Sequence, residues 1–291
     1  MGLFKIFKKK NNTFKKKKGV KIGLALSGGA ARGIGHIGVI KAFESLGIDF
    51  DVVAGTSAGS FVGAMYAYGW TSEEMENTLK TLKTKDIKSG KIKFMPSDTA
   101  TLINTIDKIM GGQKVFSDLK KPFVAVATNL KTGKEVWIES GSVAKAVACS
   151  CAVPAAFKPV AWEEKLLCDG GLVNSLPVNV CKELGADYVI AVDVNFTRGD
   201  GKEEIKGIGD IINSTIGIML KSNAKSYLDY ADYVLAPDLT KFKSTSFDGA
   251  FDMIAEGERV VLDAKEEIIK ILKAKPKKGK NRWPKADVEH I

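Results

Sequence analysis

Only two histidines, His36 and His290, occur in the 291 residues of this chain, and that scarcity limits its chemistry before any motif is considered. A metal centre or an acid–base apparatus built on imidazole has almost nothing to draw on, and neither a metal nor another cofactor is expected. The four cysteines (Cys149, Cys151, Cys168, Cys181) show neither CxxC spacing nor the density of a disulfide scaffold, which points to buried, reduced thiols. With 8 Pro and 29 Gly, 45% hydrophobic and 27% charged residues, the composition is globular and excludes collagen-like or disordered chains. No apolar run reaches the roughly 18 residues that would span a bilayer. The richest, Ile205 to Leu220, is broken by Lys206, Asp210 and Asn213 and reads as a core helix. The opening MGLFKIFKKK lacks the apolar region of a secretion signal, and Ile6 stands where a myristoylation motif wants Ser or Thr, so the expected location is the cytoplasm.

Acidic residues are absent from the two basic runs near the chain ends. Residues 1–18 hold eight lysines and residues 270–282 seven basic side chains, neither with an acid. The formal charge of +10 therefore describes the ends: between Gly19 and Ile269 there are 28 basic and 32 acidic residues, a net of −4. A nucleic-acid partner is not expected, because the folded part is mildly acidic and the lysines lack stacking aromatics on an identifiable fold.

Past the basic start, Val20 to Leu26 reads as a strand, Ile34 to Leu46 as a helix closed by Gly47, Asp51 to Thr56 as a strand and Ala58 to Tyr68 as a helix. Such alternation specifies parallel strands with crossover helices, the first two side by side. Thr71 to Phe116 is Lys-rich and amphipathic, a helical insertion or lid with Gly111-Gly112 as its hinge. Further strands are expected at Pro122 to Asn129, Glu135 to Glu139, Lys165 to Cys168, Asp187 to Val194 and Asp232 to Ala236. Helices are expected at Ser142 to Ser150, Pro177 to Leu184 and Gly249 to Leu272. The organisation is one α/β domain over 19–272, a basic tail at 1–18 and another at 273–291.

Gly55-Thr56-Ser57-Ala58-Gly59 lies directly between a strand and a helix, the context of a nucleophile elbow. A turn that sharp admits only very small residues beside the serine and pushes its hydroxyl out over a helix N-terminus. A base must accompany it. His290 sits in a polar tail and His36 in a small-residue stretch where a buried structural role is expected, so a carboxylate acting directly on Ser57 is the favoured reading. Asp169, which ends a strand and precedes Gly170-Gly171, is best placed, and burial beside a hydroxyl would raise its basicity. The third element is Ser27-Gly28-Gly29-Ala30-Ala31-Arg32-Gly33, whose small side chains let backbone N–H groups approach a developing negative charge. Arg32 has two readings, bracing the loop or meeting a phosphate. Gly33-Ile34-Gly35-His36-Ile37-Gly38 formally matches a dinucleotide fingerprint, but it starts seven residues beyond its strand, and strand two ends in Thr56 where an acid is wanted. No Walker loop is present.

These three motifs in this order resemble the patatin-like phospholipase family, bacterial branch. The resemblance extends to IGLALSGGAARGIGHIGVIKAFESLGI, DVVAGTSAGSFVGAMYAYG, AVPAAFKPV and CDGGLVNSLPVNVCKELGADYVIAVDV, and is close over roughly residues 20–195. Ser27 departs from it, since many members carry Gly there. The resemblance implies a three-layer α/β/α fold with a mainly parallel sheet and a Ser57–Asp169 dyad. It also implies an oxyanion hole from the amides of Gly28, Gly29 and Ala30 with Ala58, and hydrolysis of lipid or fatty-acyl esters through an acyl-enzyme. Gly55, Thr56 and Gly59 would shape the elbow, with Arg32, Gly33, Gly170 and Gly171 supporting the loops. A lipid-sensing or scaffold protein with little turnover is the alternative.

A lipid substrate gives the lysine-rich start a use. Leu3, Ile6 and Phe7 fall at helical spacing, with Phe14 further on. Residues 1–18 are read either as a basic amphipathic helix on an anionic membrane face or as a solvated tail.

Overall fold

A computed structural model describes residues 14–89, 99–196, 207–244, 246–276 and 287–291. Its first strand, β1 (Ile22–Leu26), shows the two-residue period of a strand covered on both sides. Ile22, Leu24 and Leu26 enter one hydrophobic cluster and Ala25 the other. The same alternation runs through β2 (Val52–Thr56), β3 (Phe123–Asn129) and β7 (Tyr188–Val192), all fully buried. With β8 (Tyr233–Leu235) these strands are parallel, in the spatial order β3-β2-β1-β7-β8. β1 and β2 are neighbours, as the crossover rule requires.

Antiparallel strands extend the sheet beyond β3. One edge of β3 takes β4 (Glu135–Ile138), and the other takes β2 and then β6 (Lys165–Asp169), which pairs with β5 (Val160–Trp162). One face of the sheet is covered by α1 (Gly35–Leu46), α2 (Ala58–Tyr68), α3 (Ser72–Ser89), α4 (Thr99–Ile109), α5 (Val143–Ser150) and α8 (Ala250–Lys273). The other carries α6 (Val178–Glu183) and α7 (Ile208–Leu228). The expected three-layer α/β/α architecture with a mainly parallel sheet is thus present.

The glycines of the formal dinucleotide fingerprint serve helix packing. A Cβ on Gly38 of α1 would collide with the Ile254 carbonyl of α8, and one on Gly257 of α8 with the Gly35 carbonyl, so these helices touch backbone to backbone.

Three expectations change. Ile205 to Leu220 was read as a core helix, but in α7 the side chains of Ile211 and Ile218 are exposed, and Leu220, Ala224 and Tyr227 are buried; it is a surface helix with one buried face. The 273–291 tail ends in β9 (Val288–His290), a three-residue strand parallel to β4. His290 there has a defined place, with Nδ1 3.2 Å from Glu139 Oε1 and its ring edge-on to Trp137. The 1–18 tail is docked from Phe14 onward. Phe14 packs on the core, Lys16 pairs with Asp51, and Lys17 Nζ donates to the Lys273 and Ala274 carbonyls at the end of α8 (2.6 and 3.1 Å). Residues 1–13, with Leu3, Ile6 and Phe7, lie outside the described residues. Among the described residues no helix is long and apolar enough to cross a membrane.

Candidate active site

The turn from β2 into α2 holds Ser57 at φ 52° and ψ −125°, a left-handed conformation costing a non-glycine residue about 1–3 kcal/mol. Its neighbours must therefore be small. A Cβ on Gly55 would strike the Gly59 carbonyl, and one on Gly59 would strike the carbonyls of Leu26 and Ser27 at the end of β1. Ala58 lies equally close to Gly33. The elbow and the Gly-rich loop are thereby pressed together with no side chain larger than the Ala58 methyl at these contacts. Thr56 Oγ1 donates to the Asn174 carbonyl at 2.8 Å, tying the elbow to the segment after Gly170-Gly171.

Register explains how Asp169 meets Ser57. β2 and β6 share one edge of β3: Thr56 is paired with Val126, and Asp169 with the next residue, Ala127. The serine just past β2 and the aspartate ending β6 arrive at the same point from opposite directions. The Ser57 hydroxyl lies beside the Asp169 carboxylate, close enough to lower its pKa, and the carboxylate accepts from Gly171 N–H at 2.8 Å. Gly170 allows this approach, since a Cβ there would collide with the Val126 carbonyl. The Asp169 side chain is 5% exposed, beside a serine that is 6% exposed. Burial pushes its carboxyl up to about 6 against the lowering effect of the Gly171 N–H and then of the Ser57 hydroxyl.

Nearby thiols do not compete as nucleophiles. The Cys151 thiol lies against the Ser57 and Ser60 hydroxyls, and burial, followed by the charge of Asp169, pushes it up to about 12. Burial holds Cys149 and Cys168 at about 12 as well. His36, also fully buried, is lowered to about 4 by burial; its Nε2 donates to the Ser27 carbonyl at 2.9 Å, so it supports the Gly-rich loop as a neutral ring. Arg32 is a brace: it is buried and its Nε donates to the Phe242 carbonyl at 3.0 Å.

The amides expected to face an oxyanion are not equivalent. Gly28 N–H donates to the Ser175 carbonyl at 3.1 Å and is committed. Gly29 and Ala30 occupy the loop tip, where Ala30 has φ 48°, and Ala58 is the first residue of α2, whose N–H has no acceptor within its own helix. Sequence reasoning missed Ser150. Fully buried at the end of α5, its hydroxyl donates to the Val126 carbonyl (2.6 Å) and accepts from Ser57 N–H (2.8 Å). Two residues on, the Ala152 carbonyl accepts from Asp169 N–H at 3.0 Å. This segment, which runs into AVPAAFKPV at Ala152, bridges the backbones of Ser57 and Asp169.

A profile of the family described as patatin-like phospholipase matches residues 24–182, just over half of the chain. The chain belongs to the patatin-like phospholipase family. The patatin-like match spans the Gly-rich loop, Ser57, Ser150 and Asp169, and it ends before β7. An uncharacterized NTE family protein of Mycobacterium tuberculosis is 32% identical over 222 residues, 72% of this chain and 60% of that protein. A protein named lysophospholipase nte1, from Aspergillus fumigatus, is 34% identical over 182 residues, 60% of this chain and 12% of that protein. The chain thus spans well under two thirds of the curated relatives it matches. Among solved structures, VipD of Legionella pneumophila aligns with a TM-score of 0.49 at 14% identity, covering 87% of this chain and 68% of that one.

Proposed function

We propose that this patatin-like chain is a serine acyl hydrolase that cleaves carboxylic esters of lipids, with Ser57 as nucleophile and Asp169 as its base. One observation carries the reading: a serine on a strained strand-to-helix turn lies beside a buried carboxylate raised to about 6. A base of that strength is still ionised at neutral pH and is stronger than an ordinary aspartate. As Ser57 Oγ attacks the ester carbonyl, Asp169 takes its proton, and the tetrahedral oxygen gathers its charge beside the N–H groups of Gly29, Ala30 and Ala58, the last at the positive end of α2. Asp169 returns the proton to the leaving alcohol. It then deprotonates the water that releases the acyl group from Ser57.

A lysophospholipid is the first substrate to test, because relatives bear that name. Wild type should hydrolyse both a soluble short-chain ester and lysophosphatidylcholine, and Ser57→Ala should hydrolyse neither. Equal rates for the two proteins would remove the proposal, and folded wild type that bound lipid without turnover would point to the lipid-sensing alternative. The lysines of residues 1–13 are proposed to favour anionic membrane, each contributing about 1 kcal/mol near the surface. The helical segment 71–116, whose α4 packs on α5, is proposed as the cover of the acyl site.

A further inference from the structure

The peptide joining Gly28 to Gly29 is held from one side only. Its carbonyl accepts from Asn195 Nδ2 and from Ser27 Oγ (3.0 Å), and Ser27 Oγ itself accepts from Val194 N–H at 3.0 Å. Both side chains are buried, and both tie the loop to the turn at the exit of β7. That turn is itself fixed, since Asn195 N–H donates to Asp193 Oδ1 at 2.9 Å. A carbonyl can only accept, so the Asn195 atom facing it must be the amide nitrogen.

A trans peptide points its C=O and N–H in opposite directions. β1 lies between β7 and β2, so drawing the Gly28 carbonyl toward the β7 exit turns the Gly29 N–H toward the side where β2 delivers Ser57. Gly28 is already there: a Cβ on it would stand 3.3 Å from the Ser57 Cβ. The Gly28 N–H, committed to Ser175, cannot substitute for that of Gly29. Without the clamp, this glycine–glycine peptide can invert and present an acceptor where an anion must sit.

We infer that Asn195 and the Ser27 hydroxyl clamp the Gly28–Gly29 peptide so that its N–H faces the Ser57 oxyanion, an inference that rests on the hydrolase reading above. Asn195 is a positioning residue, as is Ser27; neither touches substrate. Ser27 thereby gains a purpose for its departure from the glycine common at this place in the family: its hydroxyl supplies the second hydrogen bond.

The test compares wild type, Ser27→Ala and Asn195→Leu on a soluble ester, with affinity for a trifluoromethyl ketone, which forms a tetrahedral adduct on the serine. Removing one oxyanion donor outright costs about 100- to 1000-fold, so loosening it should lower kcat about 10- to 100-fold in each variant. KM should stay within about twofold, and ketone affinity should fall by the same factor as kcat, since both depend on the oxyanion donors. Folded variants with kcat within twofold of wild type, or a lower kcat with unchanged ketone affinity, would overturn the clamp. If Asn195→Leu does not fold, Ser27→Ala decides alone, because it removes only a hydroxyl. Inactive wild type would instead remove the hydrolase reading and the clamp with it, so the two failures are distinguishable.

Discussion

Replacing Asp169 by asparagine should stabilise the protein while stopping its chemistry. Burial holds this carboxyl at about 6 instead of its ordinary 3.8. At about 1.4 kcal/mol per pH unit, keeping it ionised in the fold at neutral pH costs about 3 kcal/mol relative to the unfolded chain. The folded state keeps the proton between 3.8 and about 6 while the unfolded state has released it, so stability from this group is full below 3.8 and is lost as pH rises through about 6. His36 has the opposite slope. Its imidazole is lowered from 6.5 to about 4, so its contribution is present above 6.5 and lost as pH falls through about 4. In wild type the two slopes offset one another over most of that range. Asp169→Asn keeps an acceptor for Gly171 N–H and removes one slope. Urea unfolding followed by circular dichroism should show the variant about 3 kcal/mol more stable near neutral pH, with the gap closing toward pH 4. Ester turnover should fall at least about a thousandfold. A variant no more stable than wild type at neutral pH, or a gap that does not change with pH, would refute the reasoning.

In wild type, kcat/KM should rise with pH through about 6 and level off above it, because only ionised Asp169 can take the Ser57 proton; a profile flat from pH 5 to 8 would contradict this. Ser150→Ala leaves Ser57 N–H and the Val126 carbonyl without their buried partner, and should cost about 1–3 kcal/mol in thermal or urea unfolding and lower kcat as well. Gly38→Ala forces α1 from α8 and should destabilise by about 1–3 kcal/mol in the same assay, with turnover per folded molecule unchanged. Deleting residues 1–13 should weaken binding to anionic vesicles in a flotation assay and leave soluble-ester hydrolysis intact; undiminished binding would assign the membrane contact elsewhere.

The parallel strands and the motifs on their ends were legible because local rules fix them. Short, nearly continuous apolar runs specify β1, β2, β3 and β7, and the elbow admits only small residues around Ser57. The three-residue strands β5 and β9 gave no such signal: β5 is a short arm folded onto β6 by a two-residue turn, and β9 depends on β4, far along the chain. α7 was misjudged because its apolar start suggests burial, whereas packing leaves Ile211, Ile212 and Ile218 outward and buries Leu220, Ala224 and Tyr227 instead. Ser150 and Asn195 escaped notice for a related reason: a polar side chain becomes a clamp only when the fold brings it to a backbone far along the chain. A partial signal existed, since Asp193 and Asn195 are polar residues directly after a wholly apolar strand, and Ser150 ends a helix otherwise almost wholly apolar.

The most direct measurement is covalent. Wild-type protein treated with a fluorophosphonate and analysed by intact mass and peptide mapping should carry one adduct, on Ser57. Labelling of Asp169→Asn should be slower by orders of magnitude, and Ser57→Ala should not label. An adduct on another serine, an unlabelled but folded wild type, or equal labelling rates for wild type and Asp169→Asn would contradict a Ser57–Asp169 hydrolase.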